Sequence, residues 1–167
     1  MTSIIKVDQI QNAAGGVPTA ADLGLNVTDT ILQVKRSTDS AQLESTSSSF
    51  TATGLTVSIT PRNANSVFLL VVSLAAETYG SNANRGWKFQ LARNGSGIYN
   101  STYDDYNSNN ATQRIGKVTM QFEDTPSTTS TITYTVNFAS TNTDANAVAK
   151  LNRYGPPSHL TVYEIAG

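Results

Sequence analysis

The chain has 167 residues, no cysteine, and 11 Lys and Arg against 12 Asp and Glu, for a formal charge of −1. This length suits one ordinary domain plus a short appendage, and the missing cysteine excludes disulfides and thiolate metal sites. The sparse, balanced charge argues against nucleic-acid binding, which needs a basic stripe to displace counterions from phosphates.

Residues 1–30 read as a segment of their own. Met1 to Lys6 lacks the apolar run of a signal peptide. The longest apolar run, Val67 to Val72, is too short to cross a bilayer. Synthesis in a cytoplasm without membrane insertion is therefore expected. Ile4-Ile5-Lys6-Val7-Asp8-Gln9-Ile10 is an extended run, broken by Gly15-Gly16-Val17-Pro18. Thr19-Ala20-Ala21-Asp22 resembles a capping box and predicts at most one helical turn, ended by Gly24. The segment has too few apolar side chains for a core, so Ile4, Ile5, Val7, Ile10, Val17, Leu23 and Leu25 need cover, as an attachment strap held by a partner or a sister chain, against the plain alternative of a tail packed on its own domain.

From Ile31 to Gly167 the period is two. Ser, Thr and Asn make up about a third of the chain, which fits strands joined by exposed turns. Weak strands at Ile31 to Arg36, Gly97 to Tyr103, Ala147 to Arg153 and His159 to Ile165 accompany stronger ones. In those, Leu55-Val57-Ile59, Trp87-Phe89-Leu91, Val118-Met120-Phe122 and Ile132-Tyr134-Val136-Phe138 each alternate with polar or small residues. Val67 to Val72 is apolar on both faces and predicts a central strand. Eight or nine short antiparallel strands without an amphipathic helix predict an all-β, jelly-roll-like β-sandwich over residues 31–167. The last strand is two-faced, with Leu160 and Val162 on one side and Tyr163 and Ile165 on the other. Tyr163 and Ile165 therefore predict an interface with a sister chain, since symmetric assembly supplies the neighbour economically.

Chemistry-bearing motifs are few. His159 is the single histidine, and no Gly-x-Ser-x-Gly elbow, phosphate loop or His-Glu-x-x-His accompanies it. Asp104 and Asp105 are sequence neighbours and would point to opposite faces of a strand, unlike a glycosidase pair. No catalytic, cofactor-binding or metal-binding residue is expected, and the chain is not expected to be an enzyme. The stretch Tyr103-Asp104-Asp105-Tyr106-Asn107-Ser108-Asn109-Asn110 places aromatic rings among amides and carboxylates. It lacks the spacing of a Ca²⁺ loop. Flat apolar faces beside donors and acceptors suit a sugar or protein surface, so Tyr103, Asp104, Asp105, Tyr106 and Asn107 are receptor-contact candidates, against the plain alternative of an exposed hairpin. Tyr79 and Tyr154 also precede turns, at an end of the sandwich that the sequence leaves open.

The stretch Ser3-Ile4-Ile5-Lys6-Val7-Asp8-Gln9-Ile10-Gln11-Asn12-Ala13-Ala14-Gly15-Gly16-Val17-Pro18-Thr19-Ala20-Ala21-Asp22-Leu23-Gly24 resembles the leader of virion structural proteins of cyanophages and other marine tailed phages. The closing Leu160-Thr161-Val162-Tyr163-Glu164-Ile165-Ala166-Gly167 and the pattern Phe122-Glu123-Asp124-Thr125-Pro126 are similar to the same tail-fibre-like group. The resemblance implies a homotrimeric jelly roll, similar to the heads of tumour necrosis factor and complement globular modules, attached to other virion proteins by its N-terminal segment. With leader and head almost contiguous, a short tail fibre or baseplate adhesin facing a host glycan or protein is expected. The alternative is a capsid decoration or head-fibre protein that stabilises the shell.

Overall fold

Alternation in the sequence becomes burial strand by strand. The computed structural model describes residues 11, 15–17, 28–79, 85–101, 105–107, 113–141 and 148–167. Among them the regular structure is entirely β, in eleven strands. β3 (Thr51–Ile59) buries Leu55, Val57 and Ile59, and β5 (Arg85–Arg93) buries Trp87, Phe89 and Leu91. β9 (Ile132–Ser140) buries Ile132, Tyr134, Val136 and Phe138, while β11 (Ser158–Ile165) buries Leu160 and Val162. β4 (Val67–Tyr79) buries Phe68, Leu70, Val72, Leu74 and Ala76. β8 (Gln113–Asp124) lends Val118, Met120 and Phe122 to the same core. The inner side of every strong strand is the side that its period assigned.

β1 (Ile31–Asp39), β11, β4 and β8 form one sheet, with β2 (Leu43–Ser45) and β10 (Val148–Leu151) continuing the rows of β1 and β11. β11 pairs with β4 from Val67 to Ser73, and β10 takes over from Ala76 to Tyr79. The second sheet runs β3, β9, β5, β6 (Ser96–Asn100), and β7 (Asp105–Asn107) lies in line with β6 along β5. Each sheet thus has four rows. Counted along the chain, the rows lie in the order 1-8-3-6 in one sheet and 2-7-4-5 in the other. This is one long antiparallel hairpin wrapped over on itself, a jelly roll.

The structure adds to the expected strands. β2 and β7 are extra short segments, β6 stops at Asn100 instead of reaching Tyr103, and β10 spans only Val148 to Leu151. Eleven segments therefore fill the eight rows where eight or nine strands were expected. The helical turn expected at Thr19 to Asp22 lies outside the described residues.

Polar groups pin the layers together. Arg93 of β5 gives both carboxylate oxygens of Asp124 a hydrogen bond, at 2.7 and 2.8 Å. The Tyr134 hydroxyl donates to Asp124 Oδ2 at 2.7 Å. Asp124 sits on β8 and its two partners on the opposite sheet, so this group ties sheet to sheet. Burial, then the hydrogen bond to Asp124, pushes the Tyr134 hydroxyl far up from its ordinary pKa. Glu164, fully buried, accepts from Gln33 Nε2, from Ser66 Oγ at 2.8 Å and from the Arg62 N–H at 2.6 Å. Burial alone would raise its pKa; these bonds and one from the Asn63 backbone outweigh it, and the carboxyl is held below its ordinary range. Glu164 thereby fastens the 60–66 turn onto the last strand. Gly54 has φ +83° where β3 bulges against β9, and a Cβ there would meet Asp39 Oδ2 at 2.9 Å.

Candidate functional site

The outer face of the β1–β11–β4–β8 sheet carries three zones along the strands. Register places Ile31 opposite Ile165, Val34 opposite Tyr163, and Tyr163 opposite Leu69. Together with Val67 and Val71 these side chains form an apolar zone at one end. Ile31 and Val34 are 54% and 49% exposed, and Val67, Leu69, Val71, Tyr163 and Ile165 are half-buried. A polar band follows, with Thr38, Ser73, Thr119 and His159. Arg36 Nη2 lies 2.9 Å from His159 Nδ1, so Nδ1 is the acceptor and the ring is neutral. Burial, then the charges of Arg36 and Lys117, lowers the His159 pKa, in keeping with that state.

The far end of the face is aromatic and cationic. Lys150 Nζ sits 4.7 Å from the centre of the Tyr79 ring and 2.9 Å from Glu44 Oε1. The Arg153 guanidinium lies 5.8 Å from the Tyr79 ring centre and 5.6 Å from that of Tyr154. Gln113 Nε2 donates to the Tyr154 hydroxyl at 2.6 Å and to Glu77 Oε1 at 2.7 Å. Asn152 makes this arrangement possible. It takes φ +59°, its N–H donates to the Ala75 carbonyl, its amide donates to the Ala41 carbonyl, and its Oδ1 accepts from Ser158 Oγ. Fixed on three sides, that corner carries Arg153 to Pro156 out over β4 and β8. Beneath it is a concavity of about 300 Å³ lined by Ala75, Glu77, Ile115, Lys117, Tyr154 and Pro156, among others.

The two ends are well separated, because the 13 residues of β4 span about 40 Å at roughly 3.3 Å per residue. The N-terminal segment joins at the apolar end, where the Asp29 N–H donates to the Ala166 carbonyl and the Ala166 N–H donates to that of Thr30, each at 2.9 Å.

Of the residues singled out from sequence, Tyr163 and Ile165 share the apolar zone, as their alternation with Leu160 and Val162 requires. Val17 is 80% exposed. Ile4, Ile5, Val7, Ile10, Leu23 and Leu25 lie outside the described residues, as do Tyr103 and Asp104. The backbone of Asp105, Tyr106 and Asn107 pairs with Trp87, Gly86 and Arg85 as β7, so part of that stretch is a strand. β7 runs beside the start of β5, at the same end as Tyr79 and Tyr154, which answers the question that the sequence left open. Glu77, Gln113, Lys150 and Arg153 were not foreseen, because polar residues at strand ends look like ordinary solvent-facing positions. Among the described residues no three carboxylate or imidazole side chains converge to hold a metal ion.

No family model and no curated protein matches the chain. Among solved structures it is similar to a chain of the T13 particle of infectious bursal disease virus, with a TM-score of 0.41 and 11% identity. That match covers 82% of this chain and 36% of the viral one. The VP2 subviral particle of the same virus gives 0.36 and 13%, over 84% of this chain and 38% of that one. Dimeric latent PorU from Porphyromonas gingivalis gives 0.35 and 10%, over 83% and 13%. The chain thus spans between about an eighth and two fifths of the length of these proteins.

Proposed function

We propose that the chain is a non-enzymatic virion structural protein, a short trimeric tail fibre or baseplate adhesin of a phage. It attaches through its N-terminal segment and presents the far end of its sandwich to the host surface. The observation that carries this reading is the polarity of the module. The chain enters beside an uncovered apolar zone, and the aromatic and cationic side chains gather about 40 Å away. An adhesin needs that division, with assembly at one end and contact at the other. The resemblance of Ser3 to Gly24 to a phage leader supports it independently.

Sister chains are the proposed cover for Ile31, Val34, Leu69, Val71, Tyr163 and Ile165. A contiguous apolar zone on a sheet otherwise rich in Ser and Thr marks a contact surface, and three-fold closure buries one such zone per chain without leaving an open end. The test compares binding of the purified protein to whole host cells with that of a Tyr79→Ala, Tyr154→Ala double variant. Binding by the wild type and its loss in the variant is expected. No binding by either, with hundreds of copies per particle by quantitative mass spectrometry, would replace the adhesin with the decoration protein.

A further inference from the structure

We infer that the concavity between β4, β8 and the Arg153 to Pro156 segment is a binding site for a single neutral sugar ring. Glu77 and Arg153 are its polar partners, and the Tyr154 ring, Pro156 and Ile115 are its apolar wall. The site deepens the adhesin reading and rests on it for its biological use; its chemistry follows from the pocket itself.

Two buried polar atoms at this place have no hydrogen-bond partner. Glu77 is 2% exposed and lines the concavity, yet its Oε2 is unpaired, and so is Arg153 Nη1. Arg153 Nη1 approaches Glu77 Oε1 only loosely, at 3.7 Å, while the Gln113 amide donates to Oε1 at 2.7 Å. A buried carboxylate oxygen without a donor is costly, so the place favours an occupant that supplies one.

The pair of orphans selects the kind of occupant. An ammonium group would satisfy Oε2, but it would leave Nη1 unpaired and add a positive charge beside Arg153 and Lys117. A carboxylate or phosphate would satisfy Nη1 and meet the Glu77 carboxylate. A hydroxyl does both, donating to Oε2 and accepting from Nη1 once the Arg153 side chain, itself 36% exposed, swings aside to open these two buried atoms. The remaining lining is apolar: Ala75, Ile115, Pro156, the Tyr154 ring and the stem of Lys117. Tyr154 and Ile115 are 55% and 61% exposed, so a flat C–H face can reach them. Hydroxyls on one edge and C–H groups on a face describe a pyranose. At about 300 Å³ the concavity is at the small end of the range for ligand sites, which limits it to one ring.

The test is saturation-transfer NMR on the full-length protein with the methyl glycosides of glucose, galactose, mannose and N-acetylglucosamine. One stacking contact and two hydrogen bonds correspond to a dissociation constant on the order of 1 mM. At least one glycoside is expected to receive saturation. The Ala75→Leu variant, which fills the concavity, is expected to abolish the transfer, and Glu77→Gln to weaken binding about tenfold. Should one variant fail to fold, the exposed Tyr154→Ala change gives the same reading with little effect on stability. Transfer to none of the four sugars from folded wild type overturns the site. So does transfer that survives Ala75→Leu and Tyr154→Ala. Host-cell binding separates this failure from that of the adhesin reading. Absent glycoside transfer with wild-type cell binding retained overturns the pocket alone, whereas glycoside binding without wild-type cell binding upholds the pocket and overturns the adhesin.

Discussion

The two sheets of the sandwich turn different outer faces outward. On the β3–β9–β5–β6 sheet the outward side chains are mostly polar, and many of them bond to one another across strands. Ser58 Oγ lies 2.9 Å from Thr133 Oγ1, and Thr60 Oγ1 lies 2.7 Å from Thr131 Oγ1. The Asn137 amide donates to Gln90 Oε1 and the Gln90 amide to Asn100 Oδ1, each at 2.8 Å. That face is complete in water. The β1–β11–β4–β8 sheet instead shows Ile31, Val34, Leu69, Val71, Tyr163 and Ile165 at one end and an aromatic, cationic cluster beside a concavity at the other. Both sheets share the same inward alternation, so the fold needs nothing from either outer face. What stands at the outward positions is free to vary, and on this sheet it reads as contact surface.

The comparison can be broken first at the apolar zone. A Leu69→Asp, Tyr163→Asp double variant is expected to leave a folded monomer. Burying two carboxylates in an apolar contact costs at least about 3 kcal/mol, more than a hundredfold in association. Ser58→Asp on the other face should leave the oligomer intact. Light scattering on both variants checks this, and a change in oligomer size from Ser58→Asp alone would reverse the assignment of the faces.

Between the faces, Asp124→Ala removes the acceptor of Arg93 and Tyr134 and should cost about 3 kcal/mol in urea denaturation. Asp124→Asn should recover part of it. A loss below about 0.5 kcal/mol would mean that hydrophobic packing alone holds the layers.

Glu164 gives a pH-dependent effect. Its folded pKa lies below the unfolded value of about 4.3, so the unfolded state binds the proton more readily. Its stabilisation is complete above that value and is lost as pH falls through the folded pKa. The wild-type urea midpoint should therefore drop more steeply below about pH 4 than that of Glu164→Gln. Parallel profiles would contradict the bonding from Gln33, Ser66 and the 60–66 turn. The smallest effect belongs to the polar face, where Thr60→Ala with Thr131→Ala should cost only about 0.5 kcal/mol. A loss several times larger would mean that those hydroxyls do more than solvate the sheet.

Much of the fold was legible because burial has a period of two. Leu55-Val57-Ile59, Trp87-Phe89-Leu91 and Ile132 to Phe138 announced both a strand and its inner side. β2 and β7 escaped because three residues are too few to show a period, and in Asp105-Tyr106-Asn107 a single aromatic ring stands between two polar residues. Pairing order was less legible than pairing itself, since nothing local tells β4 to accept β10 and β11 along one edge. Of the apolar zone, Tyr163 and Ile165 were readable from the two-faced last strand. The concavity was not. Its Glu77 and Arg153, and the Gln113 that bonds to Glu77, come from three distant strands or turns, and a left-handed Asn152 brings Arg153 into place. The buried Glu164 shows the same limit, with its parity visible and its partners, drawn from Gln33 and Arg62 to Ser66, visible only in three dimensions.

The assignment of the two outer faces is tested most directly by sedimentation equilibrium on the intact chain at micromolar concentration. A single species at three times 17.8 kDa is expected, with its mass unchanged by moderate salt because the contact is apolar. A monodisperse species of 17.8 kDa would show that Ile31, Val34, Leu69, Val71, Tyr163 and Ile165 face water, and would contradict the reading of that face as an interface.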